Sequence, residues 1–375
     1  MTIPFYKPYI AGKELYHIAQ AVELGNISGD GHFTQKCCNL METKFQANKV
    51  MLTHSCTAAL EMAAILCDIQ PGDEVIMPSF TFVSTANAFA LRGATIRFAD
   101  IRPDTLNLDE KLIEPLITEK TKAIVPVHYA GVGCDMDAIM AIADRYRLLV
   151  VEDAAQGVNS TYNGRYLGTI GHLGTYSFHE TKNFISGEGG ALVINDEQFI
   201  ERAEIIRVRG TNRCAFFRGE VDHYTWVDVG SSYLMSDLLS AFLYAQLENM
   251  DQINQRRNDI WKFYHQALVP LANDGRLRLP YIPPCCDSNS HLFYIILPDE
   301  ATRDALMGYL KERRIHAVFH YVPLHTSDVG LSTGYRPGQL PVTESMSGRL
   351  LRLPFYYELT REQQEGIVDT IFRFF

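Results

Sequence analysis

Between Lys49 and Ile194 short apolar runs alternate with helix-patterned stretches, and this rhythm limits the possible folds more than any other feature of the chain. Strands separated by a helix's length of chain run parallel, because a crossover must carry the backbone back to the end where it began. The alternation therefore predicts an α/β fold with a mostly parallel sheet. Strands are expected at Val75–Met77, Thr95–Phe98, Lys122–His128, Leu148–Glu152, Thr175–His179 and Ala191–Ile194. Helices are expected at Thr57–Leu66 and Met136–Tyr146, the second capped by Asp135 or Asp137.

After Met235 a helix-compatible segment runs to Leu268, and its Gln255, Arg256, Arg257 cluster reads as a solvated face linking two bodies. Pro280, Pro283 and Pro284 mark a break. Beyond them His291–Leu297, Ala317–Val322 and the helical patterns Ala301–Lys311 and Thr360–Phe374 indicate a smaller α+β unit. The expected division is a large domain over residues 1–245 and a small one over 246–375. No internal repeat or low-complexity tract is visible, which sets aside solenoids and linkers.

At 375 residues and 47% hydrophobic content the chain can bury more than one core. Its 34 basic and 44 acidic residues leave a net charge of -10, so the whole molecule repels nucleic acid and anionic membranes, and any phosphate must be held locally. No apolar run approaches the roughly 20 residues that span a bilayer. Met1 to Tyr9 lacks a secretory pattern, so the cytoplasm is the expected location. Eight cysteines, two pairs of them adjacent and none in C-x-x-C spacing, read as reduced thiols rather than a disulfide framework or a metal site.

Ligands of open α/β sheets gather beyond the carboxyl ends of the strands, so polar residues after an apolar run come first. Asp153 closes the run that starts at Leu148; alone, such a residue is more often a helix cap than a catalyst. Lys182 follows the strand Thr175–His179 and precedes Gly187, Gly189 and Gly190, which makes it a candidate desolvated amine able to form a Schiff base, although most lysines are solvated charges. The turn His54, Ser55, Cys56, Thr57, Ala58 opens an apolar helix and offers free N–H groups to a phosphate, although Ser and Thr begin many helices as simple caps. No G-x-G-x-x-G or Walker lysine accompanies it. Together the three elements supply what pyridoxal phosphate requires: a phosphate cup, a carboxylate for the pyridine nitrogen and a lysine for the aldehyde.

These residues resemble those of the DegT/DnrJ/EryC1/StrS sugar aminotransferases, which have the aspartate aminotransferase fold (fold type I). The resemblance rests on Ser55 to Leu60, Pro78 to Phe82, Glu152 to Gln156, Ser177 to Asn183, Gly187 to Gly190 and Phe319 to His325. It implies a large domain built on a seven-stranded sheet and a smaller α+β C-terminal domain. Lys182 is then the Schiff-base lysine and Asp153 the partner of the ring nitrogen. Gln156 contacts the phenolic oxygen, Phe82 stacks on the ring, and Ser177 with Cys56, Thr57 and Ala58 holds the phosphate. His320, Tyr321 and His325 become sugar-nucleotide contacts, and no metal is expected. Most members have Gly at the position of Cys56. Where the family reads Gly-Tyr-Asn-Tyr-Arg-Met, with Asn reaching the neighbouring subunit's phosphate, this chain has Gly230, Ser231, Ser232, Tyr233, Leu234, Met235. Ser232 is the shorter candidate for that contact in a homodimer with a shared site.

The resemblance further implies transfer of the amino group of glutamate to a dTDP-linked keto sugar. The expected reaction converts dTDP-4-dehydro-6-deoxy-D-glucose to dTDP-4-amino-4,6-dideoxy-D-galactose, for a surface polysaccharide such as enterobacterial common antigen or O-antigen. Gluco configuration or amination at C3 are the alternatives that residue spacing leaves open. A dehydratase of the same fold has histidine at the lysine position, whereas Lys182 is present. A regulatory role would call for a DNA-binding module or basic stripe, which the chain lacks.

Overall fold

The computed structural model describes residues 2–375. Its main sheet contains β1 (Lys49–Thr53), β2 (Glu74–Pro78), β3 (Thr95–Ala99), β4 (Thr121–Ile124) and β5 (Leu149–Asp153). After a short hairpin of β6 (Thr161–Tyr162) and β7 (Arg165–Tyr166), the sheet is completed by β8 (Leu173–Ser177) and β9 (Gly190–Ile194). The seven strands lie in the order β1-β9-β8-β5-β4-β2-β3. β9 runs antiparallel to both its neighbours and every other pairing is parallel. The reversal follows from connectivity: the chain from β8 to β9 contains no crossover helix, so β9 returns beside β8 as a hairpin.

Each predicted strand falls on a strand of this sheet, with shifted ends. β4 stops at Ile124 rather than reaching His128, and Pro126, which has no N–H to donate, lies in the lost stretch. β8 ends at Ser177, two residues before the expected His179, although Phe178 N still donates to Gly189 O at 2.8 Å. β1 was not among the predicted strands.

Alternation along the strands sorts their side chains into two cores. Val50 and Leu52 of β1, Ile76 of β2, Val150 of β5 and Val193 of β9 enter one, packed against the helices His32–Phe45 and Met136–Tyr146. Met51, Val75, Met77, Val151 and Leu192 enter the other, covered by the helix Cys56–Leu66. Burial on both faces explains why β2, β8 and β9 are continuous apolar or small-residue runs.

A third core draws on the rest of the chain: Ile260, Tyr264, Leu268, Phe293, Leu351 and Ile371, joined by Ile3 from the N-terminal end. Here β11 (Tyr294–Ile296) pairs with β12 (Leu350–Arg352), while β10 (Cys286–Asp287) extends the small hairpin at β6. The stretch after Met235 forms two helices, Asp237–Glu248 and Met250–Asn273, divided at Asn249. The second helix feeds Met250 and Ile253 into the first core and Ile260 and Tyr264 into the third. The solvated-face expectation is corrected here. Arg257 falls on the inward stripe Ile253, Arg257, Ile260, Tyr264 and is buried, while Gln255 is exposed. Ala317–Val322 forms no strand; only Val318 bridges to Arg352, and Tyr321 bends the chain at φ 27°.

Candidate active site

A cavity of about 540 Å³ opens beyond the carboxyl end of β5, within the range of small-ligand pockets. Asp153 is the last residue of β5 and is 5% exposed. Its Oδ2 accepts from Thr85 Oγ1 at 2.7 Å and its Oδ1 from Ala155 N at 3.2 Å. Both donors are neutral, so the buried charge still lacks a cation hydrogen-bonded to it.

Lys182 lies in the connection between β8 and β9, with its N–H bonded to His179 O at 2.9 Å. The turn is closed by Glu180 N to Gly187 O at 2.9 Å, and Gly187 takes φ 83°, a conformation that favours glycine. The loop brings the lysine to the wall on which Asp153 lies. Loss of water around the amine lowers its pKa below the ordinary lysine value, and Cys56 and Asp153 oppose this only in part.

Ser55, in extended backbone, caps the helix Cys56–Leu66 by accepting Ala58 N at 3.1 Å. The first-turn N–H groups of Cys56 and Thr57 precede any intrahelical acceptor and remain available to an anion. Cys56 is not among the residues with positive φ, so its side chain brings no backbone strain to the turn. Burial, and then Asp153, keep it a thiol. Beside this turn lies Gly190, where a Cβ would come within 2.4 Å of Cys56 N. The tight approach leaves the helix start bare toward the cavity.

Of the other expected residues, Phe82, Gln156, Ser177, His320 and Tyr321 also face the cavity. Phe82 precedes the helix Val83–Ala90 and is 58% exposed. Gln156 accepts Ala130 N at 2.7 Å through Oε1 and donates from Nε2 to Tyr321 Oη at 2.8 Å. His320 stacks on Tyr321 with ring centroids 3.7 Å apart, its Nδ1 bonded to Tyr129 Oη at 2.7 Å.

Three of the expected residues lie off this cavity. Ala58 lies off the wall, and its N–H is already committed to Ser55. His325 is fully buried between Ser79 Oγ, 2.7 Å from Nδ1, and Glu344 Oε1, 3.0 Å from Nε2, so it supports the chain rather than facing a ligand. Ser232 is exposed and lies off its own chain's cavity.

Sequence reasoning missed Thr85, His291, Arg257 and Arg352, all on the wall. Asn183 Nδ2 donates to Asn289 O at 2.9 Å, which turns its Oδ1 toward His291 Nδ1, also at 2.9 Å. His291 therefore donates from Nδ1 and keeps a lone pair on Nε2. Burial, followed by the charges of Lys182 and Arg257, holds its pKa well below the ordinary histidine value and the ring neutral. The stretch His291 to Leu297 was legible as part of the smaller α+β unit; the proximity of His291 to Lys182 comes from the tertiary fold.

Pyridoxal phosphate fits these donors: a buried carboxylate without a bound cation, a helix start whose Cys56 and Thr57 N–H groups are free of intrahelical acceptors, and an amine with lowered pKa on one wall. The comparisons agree. Residues 8–372 match the DegT/DnrJ/EryC1/StrS aminotransferase family. The spore coat polysaccharide biosynthesis protein SpsC of Bacillus subtilis is 33% identical over 380 residues, covering 98% of this chain and 96% of SpsC. A pleiotropic regulatory protein of Geobacillus stearothermophilus is 37% identical over 319 residues, covering 84% of this chain and 82% of that protein. Among solved structures, Spr1654 of Streptococcus pneumoniae, assigned as a sugar aminotransferase, superposes in its PLP form with a TM-score of 0.92 at 26% identity, covering 100% of this chain and 98% of Spr1654. S. venezuelae DesV, captured with a ketimine intermediate, gives a TM-score of 0.89 at 30% identity, covering 99% and 97% of the two chains. The chain belongs to the DegT/DnrJ/EryC1/StrS aminotransferase family and is a PLP-dependent sugar aminotransferase.

Proposed function

We propose that the chain transfers the amino group of glutamate to C4 of dTDP-4-dehydro-6-deoxy-D-glucose, giving dTDP-4-amino-4,6-dideoxy-D-galactose for a cell-surface polysaccharide. One observation carries the chemistry: Lys182, Asp153 and the helix start at Cys56, from three separate stretches of sequence, face one cavity. The dTDP group and the galacto product rest on the sequence resemblance, and the name of SpsC supports a polysaccharide setting.

When bound, pyridoxal phosphate supplies an aldehyde that takes up the donor's amine and a ring that stores the electron pair released with the α-proton. Asp153 holds a proton on the ring nitrogen, and Thr85 and Ala155 fix the carboxylate so that it faces inward. Lys182 would hold the aldehyde carbon at rest. As a free amine it would carry the proton between the donor's α-carbon and the cofactor, a task its lowered pKa favours because it raises the share of neutral amine. With the keto sugar the same amine moves a proton in the opposite sense. The Cys56 and Thr57 N–H groups with Ser177 would hold the phosphate, Phe82 would cover the ring and Gln156 would meet the phenolic oxygen.

His320 and Tyr321 are the proposed sugar contacts. The enzyme acts as a cytoplasmic homodimer, with residues 1–245 carrying the cofactor and 246–375 forming the small domain. The test is to load the protein with cofactor, add glutamate and dTDP-4-dehydro-6-deoxy-D-glucose, and determine the product by NMR. An axial amine at C4 is the expected result. An equatorial or C3 amine would reassign the substrate geometry, and an unaminated sugar would remove the proposal.

A further inference from the structure

Among the described residues, two cations on the cavity wall, Arg257 and Arg352, have no ion-pair partner. Arg257 is 7% exposed; its Nε donates to Ser290 O at 3.1 Å and its Nη2 to His291 O at 2.5 Å. Arg352 donates from Nε and Nη2 to a single acceptor, Phe319 O, at 3.3 and 2.9 Å, and its guanidinium lies over the Phe5 ring at 4.7 Å. Among the described residues, each of these hydrogen bonds ends on a neutral carbonyl. Desolvation lowers the pKa of both side chains. A guanidinium nevertheless stays charged in a protein, so the burial of Arg257 and the partial burial of Arg352 are costly until an anion arrives. The carboxylates on the wall do not supply it: Asp153 is assigned to the ring nitrogen, and Glu188 is exposed.

We propose that Arg352, with the positive field of Arg257, forms the subsite for the α-carboxylate of the amino-acid donor. This rests on the aminotransferase reading above. Phe319 O occupies the Nε side of the Arg352 fork, and the Nη1 edge keeps donors for a planar, two-oxygen ligand. The place is right for a carboxylate next to the reacting carbon. Arg352 is close enough to Lys182, His291, His320 and Tyr321 for its charge to act on each. In an amino acid the α-carboxylate is one bond from the carbon that loses its proton to Lys182. In a nucleotide sugar the diphosphate hangs from C1, across the ring from a keto group at C4.

The two halves of the reaction can be run separately, and this tests the assignment. In holoenzyme R352Q, the glutamate concentration giving half the maximal rate of the first half-reaction should rise about 10- to 100-fold. The keto-sugar half-reaction should change by a clearly smaller factor, the part that comes from the charge of Arg352 acting on Lys182, His320 and Tyr321. R352K, which keeps the charge and loses the fork, should fall between R352Q and wild type. Glutamate α-amide offered to the wild type should show the same loss as R352Q, and no further loss when offered to R352Q. Because the amide experiment uses native protein, it decides the matter even if R352Q folds poorly. Succinate, which has carboxylates but nothing to react, should bind wild-type holoenzyme in a calorimetric titration and bind R352Q correspondingly less. A loss confined to the keto-sugar half would assign Arg352 to the diphosphate, and unchanged glutamate and succinate affinities would leave it without a ligand; either result overturns the proposal. Should the wild type catalyse neither half, the aminotransferase reading fails, and the succinate titration still decides whether Arg352 binds carboxylates.

Discussion

Lys182 carries a stability cost that its chemistry requires, and that cost depends on pH. Its folded pKa is lowered by burial, whereas in the unfolded chain it is near the ordinary value of about 10.4. Below the folded value both states hold the proton, so the desolvation penalty is present in full. Between the two values the unfolded chain binds more protons, so stability rises with pH, and above about 10.4 the penalty is gone. Cofactor-free Lys182→Met should therefore melt above the wild type at neutral pH, with a margin that shrinks as pH rises through this window. Paired melting curves check it, and a margin constant with pH would contradict the lowered pKa. Asp153→Asn keeps the shape and removes the charge. Cofactor affinity should drop about 10- to 100-fold in equilibrium dialysis, the loss expected for one charged hydrogen bond. Asp153 stood out because it directly follows an apolar run, and Lys182 because it lies between a strand and a glycine-rich turn; alone each favoured a cap or a solvated charge, and the combination with the turn at Cys56 singled them out. Arg257 was not, because its polar neighbours Gln255 and Arg256 made a charged face the natural reading. Its spacing from Ile253 and Ile260 did carry the inward signal, and the helical period was the better guide.

The phosphate cup depends on how closely two elements approach. β9 begins at Gly190, and a side chain there would meet Cys56 N and the Ser55 carbonyl carbon, both at 2.4 Å, so backbone rather than a flexible side chain would have to move. Gly190→Ala should push the helix start away and weaken cofactor binding by at least about tenfold. The strand ladder should keep its circular dichroism, because Gly190 pairs with Thr53 and Ser177 through its backbone. Wild-type affinity in this variant would show that the helix start is not the phosphate site. The same region shows what a sequence conveys about elements. Strand positions were readable from apolar runs, and Met136–Tyr146 appears with its expected bounds, with Asp135 Oδ1 accepting Ala138 N at 3.1 Å. The reversed direction of β9 depended on the missing crossover helix, which the rhythm of the other strands concealed. The place of His325 depended on packing against Ser79 and Glu344, partners distant in sequence, so a motif-based contact became a buried support.

At the scale of the molecule, several exposed apolar side chains are candidates for cover in the proposed homodimer, three of them on the segment that leads to Ser232. Trp226 is 77% exposed, Phe217 69% and Leu15 79%, and Val227 and Val229 lie on the approach to Ser232. Scattered apolar residues are normal on a surface, but Trp226, Val227 and Val229 fall within a few residues of one another, and the bridges Thr211 to Trp226 and Val208 to Ser232 hold the segment in place. Ser232 is exposed and lies off its own cavity, and in the proposed homodimer a second copy would give the segment its role. A large exposed aromatic at such a contact is the residue type that dominates binding energy. Trp226→Ser should raise the dimer dissociation constant by about 10- to 100-fold, measured by sedimentation across a concentration series. If the partner completes the site, activity per chain should fall on dilution in this variant and return on concentration, while the wild type stays constant over the same range. A wild-type protein that sediments as a 42.4 kDa monomer at full activity would rule out the shared site. Activity and association moving together would identify Ser232 as part of a site built by two chains.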